Sequence, residues 1–125
     1  MKRLMAAFLT LVVVAAGVWA QCSRIRFARG RTTTVVNGRV GAKKSACYKL
    51  HAREGQQLTA HLTSPDRRAR FSVGPDEYDA DMLKDANDVT DWEGKLSSNS
   101  GSGDFLIFVE APQVGKTFTL EVTIR

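Results

Sequence analysis

Residues 46–65 alternate apolar and polar side chains in two arms, and this alternation constrains the fold more than any other feature. The apolar positions are Tyr48, Leu50 and Ala52 in the first arm and Leu58, Ala60 and Leu62 in the second. A period of two is typical of β-strands that bury one face. Because a short loop containing Gly55 separates the arms, the pattern predicts a β-hairpin in which Leu50 lies opposite Ala60. A hairpin is only marginally stable alone in water, so its apolar face requires a second layer of structure.

The remaining sequence supplies that layer as further short strands. Strand patterns lie at residues 23–27, 32–40, 70–73, 92–96, 104–110 and 117–124. Residues 104–110 are nearly all apolar, as in a strand that is buried on both faces in the middle of a sheet. Asn37-Gly38 interrupts the second of these patterns and favours either a tight turn or a bulge within one long strand.

The number of strands decides the fold class. Seven or eight short strands, frequent turn signals and no long helical pattern predict an all-β domain. We expect two antiparallel sheets packed face to face, which form a single β-sandwich of jelly-roll-like type. A small barrel of the SH3-like or lipocalin-like kind is the alternative, although lipocalins need more residues than this chain has.

The N-terminal residues have the pattern of an export signal. Two basic residues precede an apolar run at residues 4–18, and Ala20 offers a small residue at the cleavage site. The run is short for a transmembrane helix. We therefore expect a cleaved signal peptide at residues 1–20, one domain at residues 21–125, a periplasmic or secreted location and no stable membrane span. An uncleaved anchor and a lipoprotein cysteine at Cys22 are the alternatives.

Cys22 and Cys47 are the only cysteines of the chain. An even number of cysteines in an exported protein favours a disulfide bond. This bond would close a loop of about 25 residues and stabilise the fold by roughly 3–3.5 kcal/mol in the chain-entropy model. Because a lipidated Cys22 would leave Cys47 as an odd thiol, the disulfide and the lipid exclude each other.

Charge is distributed unevenly along the chain. Residues 21–70 contain twelve Lys and Arg against two acidic residues, whereas residues 71–125 contain four against eleven. Two halves of opposite net charge indicate that positive and negative groups complement each other on the surface of the folded chain. Nucleic-acid-binding proteins instead concentrate positive charge on one face beside aromatic or helical reading elements, and the sequence has no such motif. We therefore expect no nucleic-acid partner.

The sequence offers few residues for catalysis or metal binding. His51 and His61 are the only histidines, and the hairpin register places both on its polar face without a third ligand nearby. Residues 76–93 carry eight acidic residues but lack the spacing of a helix–loop–helix calcium site. No serine has the strand–turn–helix context of a nucleophile. We expect a non-enzymatic protein without metal or cofactor, and an irregular excursion of residues 76–93 across one end of the domain that Tyr78 and Trp92 pin.

A pattern of strands and turns that covers nearly the whole mature chain resembles a known family. Its positions are Phe27-x-x-Gly30, Gly38, Tyr48-x-Leu50-x-Ala52-x-x-Gly55-Gln56-x-Leu58, Ser102-Gly103-Asp104-Phe105-x-Ile107-x-Val109 and Phe118-x-Leu120-x-Val122. This order resembles the periplasmic inhibitors of goose-type lysozyme and, more loosely, the pre-peptidase C-terminal-like β-sandwich domains. The resemblance implies an exported β-sandwich that binds and inhibits a lysozyme-type muramidase.

The resemblance implies a first set of binding residues in a serine–glycine loop. Lysozyme inhibitors often carry a Ser-Gly-x-Tyr loop near the enzyme. Ser102, Gly103 and Asp104 match the first three positions of that loop, and Phe105 stands in place of the tyrosine. These residues precede a strand, where exposed loops on a rigid sandwich commonly carry binding residues.

A second set of candidate binding residues is basic. The chain resembles inhibitors that insert an aromatic residue and an arginine from two loops into the lysozyme cleft. The loops at those places here contain Lys43 and Lys44 before Cys47, and Lys116 before the last strand. We expect these three lysines to engage an acidic cleft.

A cell-envelope or carbohydrate-binding accessory module is the alternative function. The pre-peptidase C-terminal-like domains have this character, and Trp92 and Tyr78 are the candidate surfaces for stacking on a sugar. A sugar module requires an exposed planar aromatic residue, whereas an inhibitor requires side chains that project from two loops. The exposure of Trp92 therefore discriminates between the two functions.

Overall fold

The computed structural model describes residues 22–41, 44–77, 80–98 and 103–125. Within these ranges the chain forms eight β-strands and no helix. The strands are β1 Ser23–Arg24, β2 Thr33–Arg39, β3 Ser45–His51, β4 Gln57–Thr63, β5 Arg70–Pro75, β6 Asp91–Lys95, β7 Asp104–Glu110 and β8 Thr117–Ile124. The predicted signal peptide at residues 1–20 lies outside the described residues, as do Lys43, Tyr78 and Ser102.

The strands form two four-stranded sheets. Sheet A has the order β1-β3-β7-β5, and sheet B has the order β2-β8-β4-β6. All neighbours are antiparallel except β1 and β3, which pair in parallel over two residues. The prediction of an all-β sandwich is confirmed. No helix in the described part of the chain is long and apolar enough to cross a membrane.

The core lies between the two sheets and is built from the alternating apolar positions of the strands. The largest side chains that are fully buried are Phe71, Phe105, Leu50, Leu58, Leu96, Ile107 and Leu120. Burial of each such side chain stabilises the fold by about 1.5–3 kcal/mol. No charged or polar side chain among the described residues is buried with them. Function is therefore confined to the loops and to the outer faces of the sheets.

The predicted hairpin of residues 46–63 is wrong. β3 belongs to sheet A, where Leu50 pairs with Phe105, and β4 belongs to sheet B, where Ala60 pairs with Val122. The connection at residues 52–56 crosses from one sheet to the other. Alternation shows which face of a strand is buried, but it does not show which strand provides the hydrogen bonds. Two amphipathic strands bury the same face whether they pair or lie on opposite sides of a core.

Asn37-Gly38 is neither a turn nor a bulge. The β2–β8 pairing runs through both residues without a break in register, from Thr33 opposite Thr123 to Arg39 opposite Thr117. A Cβ atom at position 38 would overlap the hydroxyl of Tyr48 and the ring of Phe118. The glycine is therefore needed for core packing below a continuous strand.

β7 lies in the middle of sheet A, between β3 and β5, as its apolar sequence predicts. The expectation that both of its faces are buried is wrong, because alternate residues are only half-buried. Phe105, Ile107 and Val109 enter the core, whereas Leu106 and Phe108 lie on the outer face of sheet A. Apolar content alone did not distinguish the face in the core from the face outside it.

A disulfide bond joins Cys22 to Cys47, with their Cα atoms 4.6 Å apart. The predicted bond is confirmed, and it ties the residue before β1 to the middle of β3. Since the thiol of Cys22 is used in this bond, it is not available for a lipid.

The loops gather at two opposite ends of the sandwich. The lysine end consists of residues 40–41 with Lys44, residues 64–69 and residues 111–116. The Gly103 end consists of residues 25–32, 52–56, 96–98 and 103. β3 spans the molecule from one end to the other, and its seven residues separate the two ends by about 20 Å.

Candidate functional site

Two loops of the lysine end are braced against each other by backbone hydrogen bonds. The N–H of Val40 donates to the carbonyl of Lys116 at 2.9 Å, and the N–H of Gly115 donates back to Val40 at 3.1 Å. On the other side, the N–H of Ala111 donates to the carbonyl of Lys44 at 3.1 Å. The backbone of both lysines is therefore fixed by the neighbouring loop.

Lys44 has a backbone conformation that is unusual for a lysine. Its φ angle is 64°, in the left-handed region, and its N–H donates to the carbonyl of Gly41 at 2.9 Å. A residue other than glycine is held there at a cost of about 1 kcal/mol or more, and such residues often lie at binding sites. The side chain of Lys44 is exposed. The loop thus presents a solvent-accessible ammonium group on a constrained backbone.

The loop at residues 64–69 adds two arginines that the sequence did not indicate. Arg67 also has a left-handed φ angle, 60°, and Arg67 and Arg68 are both exposed. Asp66 organises this loop, because its carboxylate accepts the N–H of Arg68 at 3.1 Å. That hydrogen bond is the main reason why the pKa of Asp66 is lowered. Asp66 also lies 3.9 Å from the ammonium of Lys116, which links the second loop to the third.

Val114 gives the lysine end an apolar tip. Its side chain is 54% exposed, and Val35 on β2 is the other large apolar side chain that is exposed among the described residues. A groove next to this end is lined by parts of β2, β4 and β8 together with Ser64 and Pro65. The lysine end thus combines cations, an apolar tip and an adjoining concave surface, which is a composition suited to a protein partner.

Gly103 and Asp104 lie at the opposite end, in a cluster that satisfies its own charges. The Asp104 carboxylate lies 3.2 Å from Nδ1 of His51 and 3.9 Å from the guanidinium of Arg24. Gly103 has a φ angle of 86°, and a Cβ atom there would lie 2.7 Å from the His51 ring. The conformation of this loop is therefore fixed by contacts within the molecule.

The structure thus separates the predicted binding residues into two groups. Lys44 and Lys116 come together at the lysine end, and Gly103 and Asp104 come together at the other end. Lys43 and Ser102 lie outside the described residues. The roles of all six residues in binding stay predictions. Arg67 and Arg68 were not among the predicted residues because they lie in a loop outside the family pattern.

The histidines lie far apart, and the prediction that they share one polar face is wrong. His51 is on the outer face of sheet A beside Asp104, and His61 is on sheet B, where its Nδ1 hydrogen-bonds the carboxylate of Asp91. This bond is the main reason why the pKa of Asp91 is lowered. Within the described ranges, no group of three or more His, Cys, Asp or Glu side chains is placed to hold a metal ion.

The described part of the acidic segment is irregular up to β6, as predicted, but it runs along the edge of sheet A and not across one end of the domain. Its backbone pairs with β5, with Leu83 donating to Val73 at 2.9 Å and Val89 donating to Phe71 at 2.9 Å. Trp92 pins the segment, because its indole N–H donates to the carbonyl of Lys84 at 2.9 Å. Only 9% of Trp92 is exposed, so it offers no planar surface to a sugar.

No family model and no curated protein sequence matches this chain. Solved structures do match. PliG from Aeromonas hydrophila, a periplasmic lysozyme inhibitor of g-type lysozyme, has a TM-score of 0.67 and 24% identity over 83% of this chain and 96% of its own. The chain has the β-sandwich fold of these inhibitors. PliG from Salmonella Typhimurium has a TM-score of 0.61 and 16% identity over 84% of this chain and 98% of its own.

The looser resemblance is also found. The pre-peptidase C-terminal domain of a collagenase from Bacillus anthracis has a TM-score of 0.55 and 11% identity, over 84% of this chain and 95% of that domain. At these identities the likeness establishes a shared fold, and function depends on the residues at the ends of the sandwich.

Proposed function

We propose that this chain is an exported, non-enzymatic inhibitor of a goose-type (g-type) lysozyme, and that the lysine end makes the contact. The fold is that of PliG proteins, which are described as periplasmic inhibitors of this enzyme class. The observation that carries the proposal is the pair of braced loops that present Lys44 and Lys116 at the same end of the sandwich. Export is supported by the signal pattern of residues 1–20 and by the disulfide bond.

The backbone of the lysine end supports a rigid mode of binding. Hydrogen bonds at Val40, Ala111 and Gly115 hold the loops in place before any partner arrives. Association then orders side chains but not loops, which reduces the entropic cost of binding. Val114 at the tip provides apolar area, while the surrounding cations steer the loops toward the carboxylates of a muramidase cleft.

The predicted binding residues Gly103 and Asp104 are weaker candidates for the contact surface. The carboxylate of Asp104 is already engaged by His51 and Arg24. A partner that recruited Asp104 would first have to displace these groups. The free cations of the lysine end carry no comparable cost, apart from the long 3.9 Å contact between Lys116 and Asp66.

The alternative, a cell-envelope or carbohydrate-binding accessory module, stays a prediction, although the chain shares its fold with the collagenase domain. The main candidate residue of this alternative, Trp92, is buried and hydrogen-bonded within the fold. The surface of the described residues therefore favours a protein partner over a sugar.

Inhibition of lysozyme by the purified, oxidised protein tests the proposal. We expect sub-micromolar inhibition of a g-type lysozyme and much weaker inhibition of a chicken-type lysozyme. Lys116→Glu should weaken inhibition about tenfold, since it places a negative charge against an acidic cleft. Lys95→Glu is the matched control, because it reverses an exposed lysine on β6, away from the lysine end. The proposal fails if the well-folded wild-type protein inhibits neither enzyme.

A further inference from the structure

The chain between β1 and β2 carries an unusual concentration of arginine. Residues 24–31, here called the arginine loop, contain four arginines in eight positions. Ile25 is buried and Phe27 packs against the core, so the alternating residues Arg24 and Arg26 are left on the outside. The two apolar residues thus fix the loop to the sandwich while its guanidinium groups face solvent.

A turn brings the remaining arginines to the same corner of the molecule. The N–H of Arg31 donates to the carbonyl of Ala28 at 2.8 Å, and Gly30 has a φ angle of 77°. The N–H of Ile124 donates to the carbonyl of Thr32 at 2.9 Å, which places the chain end beside the end of the loop. The side chains of the arginines at this corner are all exposed. They are Arg26, Arg29, Arg31 and Arg125.

These four arginines have no acidic partner among the described residues, whereas some other cations of the molecule do. Among the described residues, Arg24 pairs with Asp104, Lys49 pairs with Asp76 and Lys116 pairs with Asp66. No ion pair among the described residues involves Arg26, Arg29, Arg31 or Arg125. Four guanidinium groups without an ion pair therefore lie together at the Gly103 end, on the side of the molecule where β1 and β2 form the sheet edges.

We propose that the arginine loop and Arg125 dock the protein onto the phosphate groups of an anionic phospholipid surface. A guanidinium group is planar and binds phosphate oxygens through two parallel hydrogen bonds. Each basic residue near an anionic bilayer contributes roughly a fivefold gain in affinity. Several unpaired arginines on one corner are enough for reversible binding.

The composition of the corner favours a lipid surface over a protein. Protein interfaces obtain most of their affinity from a few aromatic or apolar anchors in desolvated pockets. The large apolar side chains that are exposed in the described ranges are Val35 and Val114, and neither belongs to the arginine loop. A corner with charge but no apolar anchor fits a surface on which charges contribute additively.

The proposed orientation leaves the lysine end free. The arginine loop is at the Gly103 end, about 20 Å along the strands from Lys44 and Lys116. The bound protein would therefore present its lysine end away from the lipid. Membrane docking does not depend on lysozyme inhibition, so either proposal can fail while the other stands.

Co-sedimentation of the oxidised mature protein with vesicles tests this inference. One set of vesicles contains phosphatidylcholine alone, and the other contains equal parts of phosphatidylcholine and phosphatidylglycerol. The test variant combines Arg26→Gln, Arg29→Gln and Arg31→Gln. The matched control removes the same charge at the opposite end with Lys44→Gln, Arg67→Gln and Arg68→Gln, and thermal unfolding verifies that both variants fold.

We expect the wild-type protein to bind only the anionic vesicles and to be released by high salt. The arginine-loop variant should lose on the order of 100-fold in affinity, and the control should lose much less. Equal losses in the two variants would overturn the inference, because binding would then follow net charge alone. It is also overturned if the protein ignores anionic vesicles but binds polyglutamate, which would identify an acidic protein as the partner.

Discussion

The lysine end and the cluster around Asp104 at the opposite end use charge in opposite ways. At the lysine end, backbone hydrogen bonds brace the loops while the ammonium group of Lys44 is left in solvent. In the cluster at the Gly103 end, side-chain contacts fix the loop, and the Asp104 carboxylate is engaged by His51 and Arg24. A charged group that its own fold already neutralises adds little to recognition, whereas an unpaired one on a rigid loop is prepared for a partner.

A residue of the family pattern can be required by packing alone, whereas a binding residue is not explained by packing. Gly103 is needed where it stands, because its φ angle is 86° and the His51 ring occupies the space of a side chain. The backbone angle and the His51 ring are therefore enough to explain why the family pattern has a glycine at position 103. Lys44 has no such structural reason to be a lysine, since its hydrogen bonds involve only backbone atoms.

Charge changes at the two ends should differ strongly in how much they weaken inhibition. The double variant Lys44→Glu/Lys116→Glu should weaken inhibition of g-type lysozyme on the order of 100-fold, because two attractive contacts become repulsive. Asp104→Asn should change inhibition by less than about threefold, since that carboxylate serves internal contacts. The two inhibition constants measured side by side test the comparison, and a greater loss in Asp104→Asn would reverse it.

Removal of the disulfide should lower stability more than any surface change. The bond spans 25 residues of sequence and holds β1 against β3. Cys22→Ala/Cys47→Ala should reduce the free energy of unfolding by about 3 kcal/mol, because the unfolded chain gains freedom. Urea denaturation followed by tryptophan fluorescence measures this loss. At protein concentrations and temperatures where the variant stays folded, its inhibition of lysozyme should be unchanged, because backbone hydrogen bonds of their own hold the loops of the lysine end.

Two glycines with nearly the same backbone angle offer a direct comparison of packing at the two ends. Gly103 has a φ angle of 86° and Gly115 has one of 88°. An alanine Cβ atom would meet the His51 ring at 2.7 Å in the first case and open space in the second. Both substitutions should cost about 1 kcal/mol for the backbone, and Gly103→Ala should cost about 1 kcal/mol more for the clash.

Thermal and urea unfolding of the two alanine variants measure this difference. Equal destabilisation would show that the His51 ring moves aside freely and that the Gly103 end is less rigid than its contacts indicate.

The smallest effect concerns the titration of Asp66. The N–H of Arg68 holds the pKa of this carboxyl below its ordinary value, with Lys116 as a lesser cause. Because the folded-state pKa lies below that of the unfolded chain, the ionised carboxylate stabilises the fold above about pH 4. This contribution is lost as the pH falls through the folded-state pKa.

A titration of the carboxyl carbon by NMR measures the midpoint of Asp66 directly. In Lys116→Ala the pKa should rise slightly but stay below the ordinary value, since the backbone hydrogen bond from Arg68 remains. A midpoint at or above the ordinary value of about 3.9 in the wild-type protein would contradict this account.

The sequence predicted the fold class well because burial leaves a local signature. Alternation at Leu50, Leu58 and Leu120 marked faces that are indeed fully buried, and the cysteines marked the disulfide. Strand pairing left no such signature. β3 and β4 lie in different sheets, although their pattern is equally compatible with a hairpin.

The site was harder to predict from the sequence than the fold. Asp104 and His51 are 53 positions apart, and only the β3–β7 register places them opposite each other. Likewise, the loops of Lys44 and Lys116 are brought together by hydrogen bonds that no local pattern encodes. The sequence therefore identified candidate residues one by one, and the topology decided which of them share an end.

Hydrogen–deuterium exchange of the protein with and without a g-type lysozyme would locate the contact surface. If the lysine end makes the contact, amide exchange in the complex should slow at residues 64–69 and 111–116 and at the N–H of Lys44. Exchange at residues 52–56 and 103–104 should stay unchanged. Protection confined to residues 52–56 and 103–104 would contradict the account and place the contact at the Gly103 end.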